Sequence, residues 1–596
     1  MTTSSDANRF GPTLLPDGVH FSVWAPGAAR VELVLHASDE TRHLMTPEVG
    51  GFFALTVPGV GPGARYRLSR DGGPALPDPA SHFQPEGVHG PSEVVDLALP
   101  STTPGWRGLP PRELVIYELH VGTFSPEGTY AGVQARLPHL QRLGVTAIEL
   151  MPLAAFPGRH NWGYDGVFHF APFAGYGTPA QLTALVQACH RAGIAVILDL
   201  VTNHFGPQGN AMWSLAPAFF RPDRPSAWSA GHDWAAEPVL RYFDEVARFW
   251  IHAYQLDGLR LDAFHAVPGA ARGTHLSRMV RAIDHGLEPG RQVLVLLESV
   301  DNQVSLMDCA TPRVSVAQLN FDVQRAGHAL LTGERHAEYA DFAHPEQELG
   351  LCLERGFAFA GRHSQHHRRV RGEARGLTSW DQVVGFLQNH DTCGNRHLGQ
   401  RLDTLLDDAL GGHRLRAATA LLLLHPHIPF LFMGQEWGSR GPFHFFTDFP
   451  EALGQATQRG RMALFHEPRA PDADAPGCQD PEAFLRSHLP WDELSNPEAQ
   501  AHLELVRQLL ALRRRLLPHI SRRADDVRLR RDGQQFTLEL LDETRATAAL
   551  LLCNLDPARP MPLPDEAAGM ELLLGTRELT EGGVPPACTV VLARGG

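Results

Sequence analysis

The sequence predicts an α/β chain: a (β/α)8 TIM barrel preceded by an N-terminal β-sandwich and followed by a C-terminal all-β domain. Three observations carry this. After residue 111, short buried apolar runs alternate with amphipathic stretches, the rhythm of parallel strands covered by helices. Before residue 100, short segments of period two are separated by Pro/Gly-rich turns. Beyond Pro518 a hairpin pattern opens. At 596 residues the chain exceeds the roughly 250–300 at which single cores stop growing. The expected division is 1–100 (a carbohydrate-binding-like β-sandwich), 101–520 (the barrel) and 521–596 (a second β-sandwich).

The N-terminal strands include Val19–Trp24 and Arg30–Leu35, and Pro100–Pro111 reads as a linker. Eight barrel strands follow: Leu114–His120, Val145–Met151, Ile194–Leu200, Gly258–Asp262, Val293–Leu297, Val314–Leu319, Val383–Leu387 and Ile428–Phe432. Between them Val133–Leu143, Pro179–Ala192 and Pro238–Gln255 repeat apolar residues at helical spacing, with Pro179 and Pro238 where a first turn tolerates proline. A leucine-rich helix spans about Glu498–Leu517; Val527–Arg530, an Asp532-Gly533 turn and Phe536–Leu541 form the final hairpin. Gly361–Gly376, locally basic, is expected to be a solvated surface loop.

The net charge of −14 argues against nucleic acid or an anionic membrane as partner and leaves a neutral ligand as the natural one. All 52 basic residues are Arg, a compositional bias without functional weight. The seven cysteines are scattered, with no metal-like spacing, and are expected to be reduced thiols in a cytoplasmic protein. No secretion signal and no membrane-length apolar run is expected.

Active sites of such barrels are built on the loops following the strands. Polar residues cluster there: Asp199, Asn203 and His204 after the third strand, Arg260 and Asp262 on the fourth, Glu298 after the fifth, His390 and Asp391 after the seventh. Retaining cleavage of an acetal needs an attacking carboxylate and a second carboxyl to protonate the departing oxygen, about 5–5.5 Å apart. Asp262, flanked by Arg260 and His265, suits the first role and Glu298, on the neighbouring strand, the second. Arg260 would hold Asp262 ionised, and the five apolar residues before Glu298 would favour a protonated acid. Asp391 could bind sugar hydroxyls and support an oxocarbenium-like transition state. A lone acid at a strand end is more often a cap or ion-pair partner; four clusters in order outweigh that reading.

Asp199-Leu-Val-Thr-Asn-His204, Gly258-Leu-Arg-Leu-Asp262, Leu297-Glu-Ser299 and Gln388-Asn-His-Asp391 resemble, in order and spacing, the four signature regions of the α-amylase superfamily. The resemblance implies a nucleophile Asp262, an acid/base Glu298 and a stabiliser Asp391. It further implies that Tyr164 stacks under the sugar while Asp165, His204, Arg260 and His390 surround it. Trp162, Asn203 and His265 complete the expected substrate-binding set. Trp213, Phe219, Phe220, Trp437 and Phe443 could also offer flat faces, with core packing the better guess for most.

Within the superfamily the chain is most similar to the malto-oligosyltrehalose trehalohydrolases, through segments such as Leu76–Val95, Tyr117–Phe124, Phe156–Asp165 and Asp480–Ser487. That implies maltooligosyl trehalose as substrate, cut at the α-1,4 bond beside its terminal trehalose. Departures from the family pattern fall at Leu319–Arg325, Val300, Thr392-Cys393 and Gln435, on loops expected to line the leaving-group side. A branching enzyme or amylase, or more remotely a non-catalytic glucan-binding protein, are the competing readings. Asn203 has no cluster of partner acids for a calcium ion, so no metal or cofactor is expected.

Overall fold

The computed structural model describes residues 9–36, 39–97, 103–225, 230–406, 409–464 and 475–594. The first residues of the expected linker, Pro100 to Thr102, lie outside these. Eight strands close into a parallel barrel: β1 (Ile116–Leu119), β2 (Ala147–Leu150), β3 (Ala195–Leu200), β4 (Gly258–Leu261), β5 (Val293–Leu297), β6 (Val314–Leu319), β7 (Val383–Gly385) and β8 (Ile428–Phe432). Chain order is spatial order, and β1 pairs β8 to close the ring. These strands are buried on both faces, hence their largely apolar sequences.

Parity along each strand decides which side chains enter the barrel. Ile116, Ala147, Ile197, Leu294 and Leu296 form a core cluster inside it, while Tyr117, Ile148, Leu198, Val295 and Leu297 pack outward on the helices. The helices are stopped by local chemistry. Tyr130–Leu143 begins earlier than periodicity suggests because Thr129 accepts from Gly132 N–H as its cap, and it ends at Gly144, whose φ is 98°. Pro179–Arg191 starts with a capping box between Thr178 and Gln181.

The N-terminal strands form two sheets over a core of Val19, Phe21, Val31, Leu33, Tyr66 and Leu68. At the C-terminus the described residues form one five-stranded antiparallel sheet rather than two facing sheets. Strand alternation explains this: Leu551, Cys553 and Val591 join the barrel's outer core, so the barrel itself covers that face. Leu550, Leu552 and Val590 point the other way and are covered by Met561 and Val584. Among the described residues no helix is long and apolar enough to cross a membrane.

Candidate active site

The parity that fills the barrel with Ile116, Ala147, Ile197 and Leu296 continues, two residues on, to Glu118, Glu149, Asp199 and Glu298. Arg260 and Asp262 share one side of β4 in the same way. All six are buried at the C-terminal end of the strands.

Arg260, 1% exposed, is the hub. Its Nη1 donates to Asp199 Oδ2 (2.6 Å) and Asp262 Oδ1 (2.9 Å), and its Nη2 to Glu298 Oε2 (2.8 Å). One guanidinium thus bridges the two carboxylates expected to do the chemistry, using the fixed fork that a lysine lacks. Asn203 Nδ2 donates to Asp262 Oδ2 (3.0 Å) and to its backbone carbonyl (2.8 Å), so both carboxylate oxygens are fixed.

Ala263, next after Asp262, has φ 38°, a left-handed conformation that costs a non-glycine residue about 1–3 kcal/mol. Its N–H donates to Glu298 Oε2 (2.7 Å). Glu298 therefore sits between a cation and an amide donor, not in the apolar setting that its preceding residues suggest. Those residues alternate between the barrel interior and the helices and do not enclose its carboxyl.

A second chain of bonds runs behind the first. Glu118 Oε1 accepts from His390 Nδ1 (2.5 Å) and its Oε2 from the His390 backbone N–H (2.9 Å). His390 Nε2 lies 2.8 Å from the Tyr164 hydroxyl, which donates to Asp199 Oδ2 (2.6 Å). Burial disfavours the His390 imidazolium, but Glu118 and Asp391 overcome it and carry its pKa up to about 10. Burial pushes Asp199 up to about 7 against the pull of Arg260, and raises the Tyr164 phenol well above its usual value. Glu149, the register partner of Glu118, is raised well above the carboxylate range by burial and then by Glu118. Neither Glu149 oxygen has a hydrogen-bond partner among the described residues.

His390 yields a pH prediction. Its folded pKa is raised, so its contribution to stability is fully present below its unfolded value near 6.5 and is lost as pH rises towards 10. Glu118→Gln removes its main partner. The stability gap between wild type and variant, from denaturant unfolding, should be widest near pH 6 and narrow towards pH 10; a gap independent of pH refutes the pairing.

Asp391 lies in the first turn of helix His390–Gly394, with Oδ1 accepting from Asn395 Nδ2 (3.0 Å) and Oδ2 3.5 Å from His390 Nε2. That helix is capped reciprocally by Asn389 and Thr392, which gives the Thr392 departure a local purpose. A cavity of about 440 Å3 opens above, lined by Glu298, Asp391, His265, Val300 and Arg325 among others.

Several expected ligands are built into the wall. Trp162, 2% exposed, donates its indole N–H to the His444 carbonyl and stacks on Phe443; it supports Tyr164 and His390 from the side. His204 faces Tyr164 O (2.8 Å) with Nε2 and Asn203 Oδ1 with Nδ1, so both nitrogens face protein oxygens; burial lowers its pKa to about 4, and the neutral ring donates to one of the two. Both rings are thus held by the protein itself, and sequence order alone could not tell which way they turn. Asp165, pushed by burial to about 6, accepts from Asn161 Nδ2 (2.6 Å) and is partly exposed, as is Tyr164. Phe219, Phe220, Trp437 and Phe443 are core residues, and only Trp213 is exposed, stacked on Phe220.

The Gly361–Gly376 segment is not merely a solvated loop. Arg362–Ser364 and Arg369–Arg371 form a hairpin whose tip brings His366 and His367 to the cavity. Arg371, 1% exposed, donates to Asp322 Oδ1 (2.9 Å) and the Val300 carbonyl (2.7 Å). Asp341 accepts from the Gln365 and His366 N–H groups (2.7 and 3.0 Å). Of the departures, Val300, Thr392 and the Phe321, Gln324 and Arg325 side chains line the cavity; Gln435 instead accepts from the Phe432 N–H at the end of β8. Among the described residues no group of three or more His, Cys, Asp or Glu is placed to hold a metal ion.

Residues 98–214 match the model of the α-amylase catalytic domain, and residues 9–76 that of carbohydrate-binding module 48, the isoamylase N-terminal domain. The chain is 39% identical to the malto-oligosyltrehalose trehalohydrolase of Deinococcus radiodurans over 93% of its length and 90% of the relative's. It is 40% identical to that of Arthrobacter ramosus over 83% of this chain and 87% of the relative. Among solved structures it superposes on a putative α-amylase from Salmonella typhimurium with TM-score 0.91 and 35% identity, covering 99% of this chain and all of the other. A pullulanase from Anoxybacillus shares the fold at TM-score 0.75 and 20% identity, covering 99% of this chain and 88% of the other. With its two candidate catalytic carboxylates bridged by one arginine and relatives of this identity along most of its length, the chain belongs to the malto-oligosyltrehalose trehalohydrolase family of α-amylase-type glycoside hydrolases.

Proposed function

We propose that this enzyme hydrolyses the α-1,4 bond beside the terminal trehalose of maltooligosyl trehalose with retention, releasing trehalose. The observation that carries the chemistry is the Arg260 fork, which holds Asp262 and Glu298 on adjacent strand ends beside a cavity that Asp391 also lines. Asp262 attacks the anomeric carbon while Glu298 gives its proton to the departing oxygen, leaving a glycosyl ester on Asp262. Glu298 then takes a proton from water, which attacks the same carbon and frees Asp262. Asp391 and the charged His390 steady the sugar hydroxyls as positive charge develops on the ring. Tyr164, Asp165 and His265 complete the contact surface.

We place the reaction in trehalose biosynthesis and in the cytoplasm, with which seven unpaired thiols are compatible. We divide the chain into units at 1–100, 101–520 and 521–596. The test is product analysis with maltotriosyl trehalose and with maltopentaose, which have equal glucose number. Preferential release of trehalose is the expected result; branch formation, or maltose as the main product, would overturn it.

A further inference from the structure

Glu298 stands between two groups of residues. Behind it lies the Arg260 network, reaching Tyr164 and Asp199. In front lies a wall built from the start of helix Phe321–Thr332, the turn Ala337–Asp341 and the hairpin tip, all lining the cavity. An acid that protonates a leaving oxygen sits at the boundary between the attacked sugar and the departing one, so the sugar on the wall side is the leaving group.

The central side chain of that wall is Arg325. It is 5% exposed, and its Nη2 donates to Glu338 Oε2 (2.7 Å). Its Nε is buried with no acceptor. No second protein acceptor engages its guanidinium among the described residues, which is unusual for a buried arginine with five N–H donors. Its Cζ lies over the Phe321 ring, 5.2 Å from the ring centre, and Phe321 also lines the cavity. Glu338 is presented by a strained turn, for Ala337 has φ 49°. Apolar surface beside donors that the protein leaves without acceptors suits a sugar: the apolar surface meets its C–H groups, and the donors take hydroxyl oxygens.

We propose that Arg325, braced by Glu338, is the specificity-determining residue for the leaving disaccharide, donating hydrogen bonds to hydroxyls of a non-reducing, 1,1-linked pair of glucoses. This rests on the trehalose-releasing reading above. The experiment compares kcat/KM for maltotriosyl trehalose with that for maltopentaose in wild type, Arg325→Ala, Arg325→Lys and Glu338→Gln, together with inhibition by free trehalose. Losing a charge-assisted bond to substrate should lower the selectivity ratio by about ten-fold or more in Arg325→Ala and weaken trehalose inhibition in parallel. Arg325→Lys should recover part of the ratio, and Glu338→Gln, which keeps the cation but loosens it, should lower it less. Should Arg325→Ala fail to fold, the other two variants still decide. An unchanged ratio, or an equal fall on both substrates, overturns the role of Arg325 while leaving the enzyme's reaction intact. A wild type that releases no trehalose overturns the reaction itself and this inference with it.

Discussion

Asp262→Asn is expected to lower turnover by about 10^4-fold or more while leaving the folded protein intact, since under the proposed mechanism Asp262 is the nucleophile and its loss removes the covalent path. The structure explains why folding survives. Arg260 keeps two carboxylate partners, Asp199 and Glu298, and the new amide is nearly isosteric. The informative comparison is Glu298→Gln. Removing a general acid costs about 10^2–10^4-fold on a sugar leaving group. On a maltooligosyl fluoride, whose fluoride departs without a proton, glycosylation should be largely restored in Glu298→Gln and remain blocked in Asp262→Asn. Rate assays on both substrates and a thermal unfolding scan check this. Turnover near wild type in either variant on the natural substrate, or fluoride rescue of Asp262→Asn, would reverse the roles.

The largest stability effect is expected from Arg260→Leu. Breaking a buried ion pair by removing one partner costs about 3–5 kcal/mol, because the remaining charge is left without compensation. Here three carboxylates lose one shared cation: Asp199, with a fully buried side chain, and Asp262 and Glu298, each about 10% exposed. The pH dependence has a definite sign. Asp199 already has its folded pKa raised to about 7, and without Arg260 it rises further above its unfolded value near 3.8. A carboxyl raised in this way imposes no penalty below its unfolded pKa and a growing one as pH climbs towards the folded value. Denaturant unfolding at pH 5 and pH 8 should therefore give a smaller loss at pH 5. A loss equal at both would mean that packing, not charge, sets the cost. Activity should be abolished as well, because Asp262 and Glu298 are no longer held together.

Much of the fold is legible in the order of residues. β5, Val293–Leu297, is an uninterrupted apolar run because both its faces are covered, and most of the other barrel strands are largely apolar with an acid, Arg260 or a polar residue set among them. The acids after these strands are legible because a closed parallel barrel turns chain order into neighbourhood. Glu118 and Glu149 were equally visible as acids inside apolar strands. What gives Glu118 its place in the network is tertiary: it lies in register with Glu149 on the adjacent strand, and the short helix after β7, next but one to β1 in the ring, brings His390 onto it. The C-terminal unit is a case of the opposite kind. Its alternation reads equally well as half of a sandwich or as a sheet resting on another body, and only the barrel's presence decides.

By itself the sequence determined the barrel, the β-rich flanks, and the order in which Asp199, Asp262, Glu298 and Asp391 meet at one mouth, because periodicity and spacing are local properties of a chain. Tertiary structure alone decided that Arg260 joins Asp262 to Glu298, that Trp162 and His204 turn into the wall, and that a distant hairpin and Arg325 close the cavity beyond the acid. These depend on side-chain direction and on contacts between segments tens or hundreds of residues apart, which no local pattern encodes.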